Sequence, residues 1–255
     1  MNGMEVCVDR IDSAINAQNG GAIRLELCSC LAEGGTTPTT GLLKIVKNHV
    51  TIPVYVMIRP RAGDFLYTQL EIDVMAEEML QLKQAGADGF VFGMLNSNGD
   101  VDIEGCKKLL DIAHPLPVTF HRAVDLSRDI FEALEDITKL GFQRILTSGG
   151  CSSALEGANV IKEMILKAEQ GQNIIIMPGA GISENNLKDL LLKTKAKEFH
   201  GSARTKIPSA MIFQKNFIGM GSNSKTDNNG EYNANITSAD LVDTLVNIAK
   251  NVWFS

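Results

Sequence analysis

The feature that most constrains this chain is a rhythm. A short run rich in β-branched and aromatic residues, followed by a longer segment of helical periodicity, recurs eight times. The runs are MEVCVD (4–9), AIRLELCS (22–29), IPVYVMIRP (52–60), GFVFGML (89–95), LPVTFHRAVD (116–125), RILTSG (144–149), NIIIMPGAG (173–181) and EFHGSAR (198–204). Strands that alternate with single helices, with no two-residue hairpins, predict a parallel sheet. Eight such units close most economically into an α/β barrel of the (β/α)8 TIM type, a fold of about 250 residues. The chain has 255 and is read as a single barrel domain over 1–255. An open doubly wound sheet is the competing arrangement, but no GxGxxG follows the first strand.

Glycines punctuate the rhythm. Gly86, Gly141 and Gly171 follow helical segments, where a left-handed residue closes the last turn. Ser183 with Asn186 marks a helix start. The pattern breaks once, over about 205–236, a polar stretch containing SNSKTDNNGEYN. It is expected to be an irregular loop before the last helix, SADLVDTLVNIAKNV.

Composition excludes several function classes. The net charge is −6, so no basic footprint for nucleic acid or an anionic membrane is expected. No apolar run approaches the roughly 20 residues of a membrane helix. The start, MNGMEVCVDR, has acidic residues where a signal peptide needs a basic start and an apolar stretch. These features predict an intracellular protein. The five cysteines lack CxxC spacing, and in a reducing compartment they are free thiols or soft metal ligands.

Strand parity says what fills the barrel, because side chains alternate between the two faces of a strand. Val6, Val8, Ile23, Leu25, Leu27, Val54, Val56, Ile58, Val118, Phe120 and Phe199 form the outward set. That turns Glu5, Cys7 and Asp9 inward from strand 1 and Arg24, Glu26 and Cys28 from strand 2. Strand 3 contributes Tyr55, Met57 and Arg59, strand 5 Thr119 and His121, and strand 8 Glu198, His200 and Ser202. Unpaired charges are too costly to bury, so Arg24 is expected to pair with one glutamate and Arg59 with another. A purely structural ion network would also satisfy this pattern. Position favours function, since the C-terminal strand ends are where barrel enzymes place their sites.

The same stretches resemble the CutC family of copper homeostasis proteins. The resemblance is carried, in order, by MEVCVDRIDSAINAQNGGAIRLELCS, AEGGTTPTTGLL, IPVYVMIRPRAGDFLY, DGFVFGMLNSNGDVD, LPVTFHRAVD, LGFQRILTSGG, SSALEG, IIIMPGAGI and EFHGSAR. It runs from about Met4 to Arg204, with MIFQKNFIGMG similar to the family's pattern after strand 8. It implies a TIM-like barrel, a cytosolic or nuclear location, a homo-oligomer (a dimer or tetramer) and a role in handling Cu(I).

Residue chemistry leaves three readings. Reduced copper favours two or three sulfur ligands. Cys7 and Cys28 point inward on adjacent strands and match the cysteines used in the family's eukaryotic members, with strand register deciding whether their sulfurs meet. Met57 and Met177 are further inward sulfurs. A buried free cysteine is otherwise a small hydrophobe, and Cys106 falls in a helix. Zinc is disfavoured: His49 and His114 sit near helix ends, and no HxH or HExxH is present. In the second reading the barrel is an enzyme acting on a small anionic or phosphorylated metabolite. Arg59, Arg122, Gly179, Gly181, Gly201 and Ser202 then form an anion site, with His121, Glu26, Arg59 and His200 as catalytic candidates. In the third reading the oligomeric scaffold is itself the function. The expected outcome is a cytosolic barrel that binds copper ion as Cu(I) through Cys7 and Cys28.

Overall fold

The β-branched and aromatic residues of the strands face the helices and vanish from solvent. Val6, Val8, Leu25, Leu27, Val54, Val56, Phe90, Phe92, Phe120 and Phe199 are all fully buried. The computed structural model describes residues 2–171, 174–215 and 232–254. Eight strand–helix units follow one another: β1 (Gly3–Val8) and α1 (Ile11–Asn19), β2 (Arg24–Leu27) and α2 (Thr40–His49), β3 (Val54–Met57) and α3 (Gln69–Gln84), β4 (Gly89–Phe92) and α4 (Ile103–Ala113). The second half runs β5 (Val118–Phe120), α5 (Ile130–Leu140), β6 (Arg144–Thr147), α6 (Ala158–Glu169), β7 (Ile175–Pro178), α7 (Leu187–Thr194) and β8 (Glu198–Gly201). The ladder pairs of this eight-stranded sheet are all parallel, in the order β7-β6-β5-β4-β3-β2-β1-β8, with β7 standing beside β8 to round off the barrel. The expected TIM-type (β/α)8 architecture is what the chain forms. No helix among the described residues is long and apolar enough to cross a membrane.

Helix ends follow local chemistry. Thr68 and Glu71 form a reciprocal capping box at the start of α3, satisfying two N–H groups that the first turn leaves free. Gly86, Gly141 and Gly171 take the expected positive φ values of 97°, 92° and 122°. The start of α7 differs from expectation. The helix begins at Leu187, and the Asn186 side chain accepts from the Ser183 N–H at 2.9 Å and donates to the Gly181 carbonyl at 2.7 Å. Asn186 therefore stitches the preceding loop instead of capping the helix.

The stretch expected to be irregular is more ordered at its ends. β9 (Arg204–Pro208) and β10 (Asn233–Thr237) pair as an antiparallel ribbon before α8 (Ala239–Trp253). Its polar alternation hid a strand pair because both faces are largely solvated. Residues 216–231, including most of SNSKTDNNGEYN, lie outside the described residues. The ribbon is tied to α1: Asn16 Nδ2 donates to the Thr237 carbonyl at 2.9 Å, and the Thr237 N–H donates to Ser13 Oγ at 3.1 Å.

The barrel floor is ionic. Arg24 Nε donates to Glu5 Oε2, and Arg24 Nη2 donates to Glu198 Oε2 at 2.6 Å. Arg144 grips both oxygens of Glu198, at 2.7 and 3.2 Å. The planar guanidiniums also lie over Tyr55, 5.0 and 5.7 Å from its ring centroid. Two positive and two negative charges thus cancel inside the barrel. Removing one partner of such a set leaves an uncompensated buried charge. Glu198→Gln, which keeps the volume and strips the charge from between two arginines, is expected to cost about 3–5 kcal/mol of stability in urea denaturation. A loss within error of zero would refute the network's structural role.

Candidate functional site

Parallel register decides which inward side chains meet. In the β1–β2 ladder Glu5 pairs with Arg24 and Cys7 with Glu26, and in the β1–β8 ladder Glu5 pairs with His200. One step above the ionic floor, this brings together Cys7 Sγ, a Glu26 carboxylate oxygen and a His200 ring nitrogen, all within 4.8 Å of one another. His200 is fixed from below: its Nδ1 lies 2.8 Å from Glu5 Oε1, and its Nε2 lies 3.6 Å from Glu26 Oε2. Burial opposes charging the His200 ring, but Cys7, Glu26 and the hydrogen bond to Glu5 outweigh it and raise its pKa well above the usual value. Burial likewise opposes the Glu5 charge, yet Arg24 and His200 hold that carboxyl well below the usual range. For Glu26 burial wins over the attraction of His200, and its pKa is pushed up to about 7.

Cys28 stands apart from that trio. Its N–H donates to the Val8 carbonyl, so its side chain sits one inward layer above Cys7. The thiol is completely buried under the loop that follows β2, and a Cβ added to Gly35 would come within 3.1 Å of its sulfur. The Cys28 thiol faces Glu26 Oε2 at 3.6 Å. Burial, with the Glu26 charge, raises the thiol's pKa well above its ordinary value. Both cysteines approach the same carboxylate, and Cys7 is the half-exposed one.

A second group lies past the ends of β3 and β5. Among the described residues, the expected Arg59–glutamate pair does not form. Arg59 Nη1 donates to the carbonyls of Glu33 and Gly35, each at 2.8 Å, and Nη2 to that of Gly63 at 3.0 Å. Two loops thus satisfy with backbone oxygens what a carboxylate was expected to supply. Loop carbonyls have no side-chain signature, which is why the sequence pointed to an acid. His121 is 4 % exposed, and its Nδ1 accepts the Ala123 N–H at 3.2 Å. Burial and the Arg59 charge push its pKa down to about 3, so the ring is neutral at physiological pH. Gly93 makes room for it: a Cβ there would meet Nδ1 at 2.7 Å.

These groups line one cavity of about 530 Å³ at the C-terminal strand ends. Of the residues singled out in the sequence, Cys7, Glu26, Arg59, His121, Arg122, Gly181, Gly201, Ser202 and His200 line it. Gly179 does not. It lets β7 pack, since a Cβ would strike Leu146 at 2.5 Å. Arg122 is held by Asp125 at 2.8 Å and Ser148 at 3.0 Å. Cys106 is buried in α4, whereas Cys30 is exposed. Sequence reasoning missed Arg144, Phe65 and Ala180. Ala180 holds a φ of 93° without being glycine, a strained conformation of the kind that clusters at functional sites.

Comparisons with known proteins identify the family and agree with the fold. The CutC family model matches residues 2–205. A human relative, the copper homeostasis protein cutC homolog, is 51% identical over 98% of this chain and 89% of its own length. A CutC family protein of Chromobacterium violaceum is 43% identical over 95% of this chain and 96% of its own. A solved structure from Streptococcus agalactiae, titled as a putative copper homeostasis protein CutC, superposes with a TM-score of 0.75 at 33% identity, covering 79% of this chain and 99% of that one. With the family model spanning most of the sequence and relatives aligned nearly end to end, this chain belongs to the CutC family.

Proposed function

We propose that the chain serves copper homeostasis by receiving Cu(I) as cargo in the barrel cavity, with Cys7 as the anchoring ligand. The observation that carries this reading is the convergence of Cys7 Sγ, His200 and Glu26 within 4.8 Å. A thiolate is the soft donor that selects reduced copper, and imidazole is a fitting second ligand. The Glu26 carboxylate is a harder donor and suits the role of proton acceptor beside the thiols. Cys28, 3.6 Å from that carboxylate, is the sulfur that completes a two-thiolate set once the loop above it yields. The copper homeostasis name carried by the human relative supports the assignment. Five free cysteines suit a reducing compartment, and the cytosol is proposed as the site of action.

Anaerobic Cu(I) titration against a competing chelator tests the ligands. Cys7→Ser is expected to weaken binding by about 100-fold or more, because losing a ligand exceeds the 10–100-fold effect of losing a ligand's outer hydrogen bond. If Cys7→Ser with Cys28→Ser binds as tightly as the parent, thiolate ligation is wrong.

Proton linkage gives a second check. Burial holds Cys28 protonated, so ligation must expel its proton. Affinity should therefore rise with pH, by up to about tenfold per unit for each proton released. Competition titrations at pH 6 and 8 that give the same affinity would rule out thiol deprotonation on binding.

A further inference from the structure

The proposed copper ligands come from β1, β2 and β8 and leave the groups at the ends of β3 and β5 unexplained. Just past β5 the His121 ring accepts the Ala123 N–H through Nδ1. The proton of the neutral ring therefore sits on Nε2. That nitrogen has no hydrogen-bond partner among the described residues, although the residue is only 4 % exposed. Arg59 is 6 % exposed and spends three N–H donors on carbonyls. A guanidinium has five, and among the described residues Arg59 Nε has no hydrogen-bond partner of normal geometry, though the buried Tyr67 hydroxyl lies close to the guanidinium. Its charge meets no carboxylate among the described residues. Phe65 joins the two, its ring 4.8 Å from that of His121 and 5.2 Å from the Arg59 guanidinium carbon. Arg204 also lines the cavity and makes no ion pair with a described residue. Unsatisfied buried donors are rare in folded proteins and call for an explanation. Here two of them, one charged, line a cavity that also presents Leu31, Met57, Phe65, Leu146 and Ile182, and in which the Asp125 carboxylate is already paired with Arg122 and Glu33 is the other acid near Arg59.

We propose that this part of the cavity binds a small organic anion, its carboxylate or phosphate head accepting the His121 Nε2–H beside Arg59 and its apolar body lying in the cavity. Three features set the ligand's class. A neutral imidazole donates one proton and carries no charge, so it orients a head group, while the uncompensated arginine selects for negative charge. A cavity of about 530 Å³ has the size of small-molecule sites and far exceeds the needs of a metal ion. The apolar lining favours a ligand with a carbon skeleton over a bare inorganic ion. This inference does not depend on the copper reading, because none of its donors belongs to the Cys7, Glu26 and His200 cluster.

Metal-free protein titrated with phenylacetate, inorganic phosphate and the neutral amide phenylacetamide tests the site. The readouts are calorimetry and the ring-nitrogen NMR signals of the four histidines. The expected result has three parts: His121 appears as the neutral Nε2–H tautomer, that signal moves on adding phenylacetate, and phenylacetate binds more tightly than the amide. Phosphate alone shifting the signal would also support the site and would assign its head group as phosphate. His121→Phe keeps a ring against Phe65 and should weaken binding about tenfold, the worth of a hydrogen bond to a charged group. His121→Gln, which retains an N–H donor, should recover part of the affinity. The proposal is overturned if no anion moves the His121 signal, if the amide binds as well as phenylacetate, or if His121→Phe, shown folded by its thermal transition, binds phenylacetate like the parent.

Discussion

One carboxylate joins the part of this molecule that holds it together to the part that faces outward. Glu5, wholly buried, meets Arg24 through one oxygen and His200 through the other. Below it, charge is balanced by Glu198 and Arg144. Above it, the orientation of the His200 ring, and so the position of Nε2 relative to Glu26 and Cys7, follows from where Glu5 sits. A ligating histidine commonly presents one nitrogen outward while a carboxylate fixes the other. The cavity chemistry is thus anchored in the barrel's electrostatic floor. A change that loosens the floor would move the ligand atoms without touching them.

The cavity is divided in kind as well as in space. One side gathers sulfur, imidazole and a carboxyl that burial makes hold its proton up to a pKa of about 7, that of Glu26. The other presents the unpaired donors of a neutral histidine and a buried arginine, with the nearby Asp125 carboxylate taken up by Arg122. The first side is suited to a soft cation and the second to an oxyanion. Opposite preferences can share one pocket because the Glu5, Arg24, Glu198 and Arg144 set beneath it is internally neutral and biases neither.

Much of this was legible before any coordinates. Period-two alternation put Glu5, Cys7, Arg24, Glu26, His121 and His200 on one inner face, because a strand has only two faces and the β-branched residues claim one of them. The alternation held even for Arg59 and His121, which lie just beyond the ends of β3 and β5. Parallel register was not legible. Nothing local in the sequence states that Cys7 sits opposite Glu26, and that one pairing sets Cys28 a layer higher. Loop-carbonyl recognition of Arg59 left no trace either, since any residue supplies a carbonyl. Arg144 opens β6 as Arg24 opens β2, and the same alternation, with the fully buried Ile145 beside it turned to the helices, places it inward, so its pairing with Glu198 was within reach of the pattern. The ribbon around the polar stretch escaped because its faces show no hydrophobic contrast.

The seam between β1 and β8 has a consequence for how the molecule comes into being. Glu5 and His200 are 195 positions apart, and the ribbon that locks onto α1 comes later still, at Asn233–Thr237. During synthesis the first strand therefore waits with a buried-type carboxylate and a thiol exposed while most of the barrel is made. Closing so distant a contact is slow, because chain entropy must be spent before the contact repays it. The histidine enters the cavity only when that last strand docks. An unfinished chain thus holds Cys7 without its neighbouring imidazole, and the ligand set forms in the same event that completes the barrel.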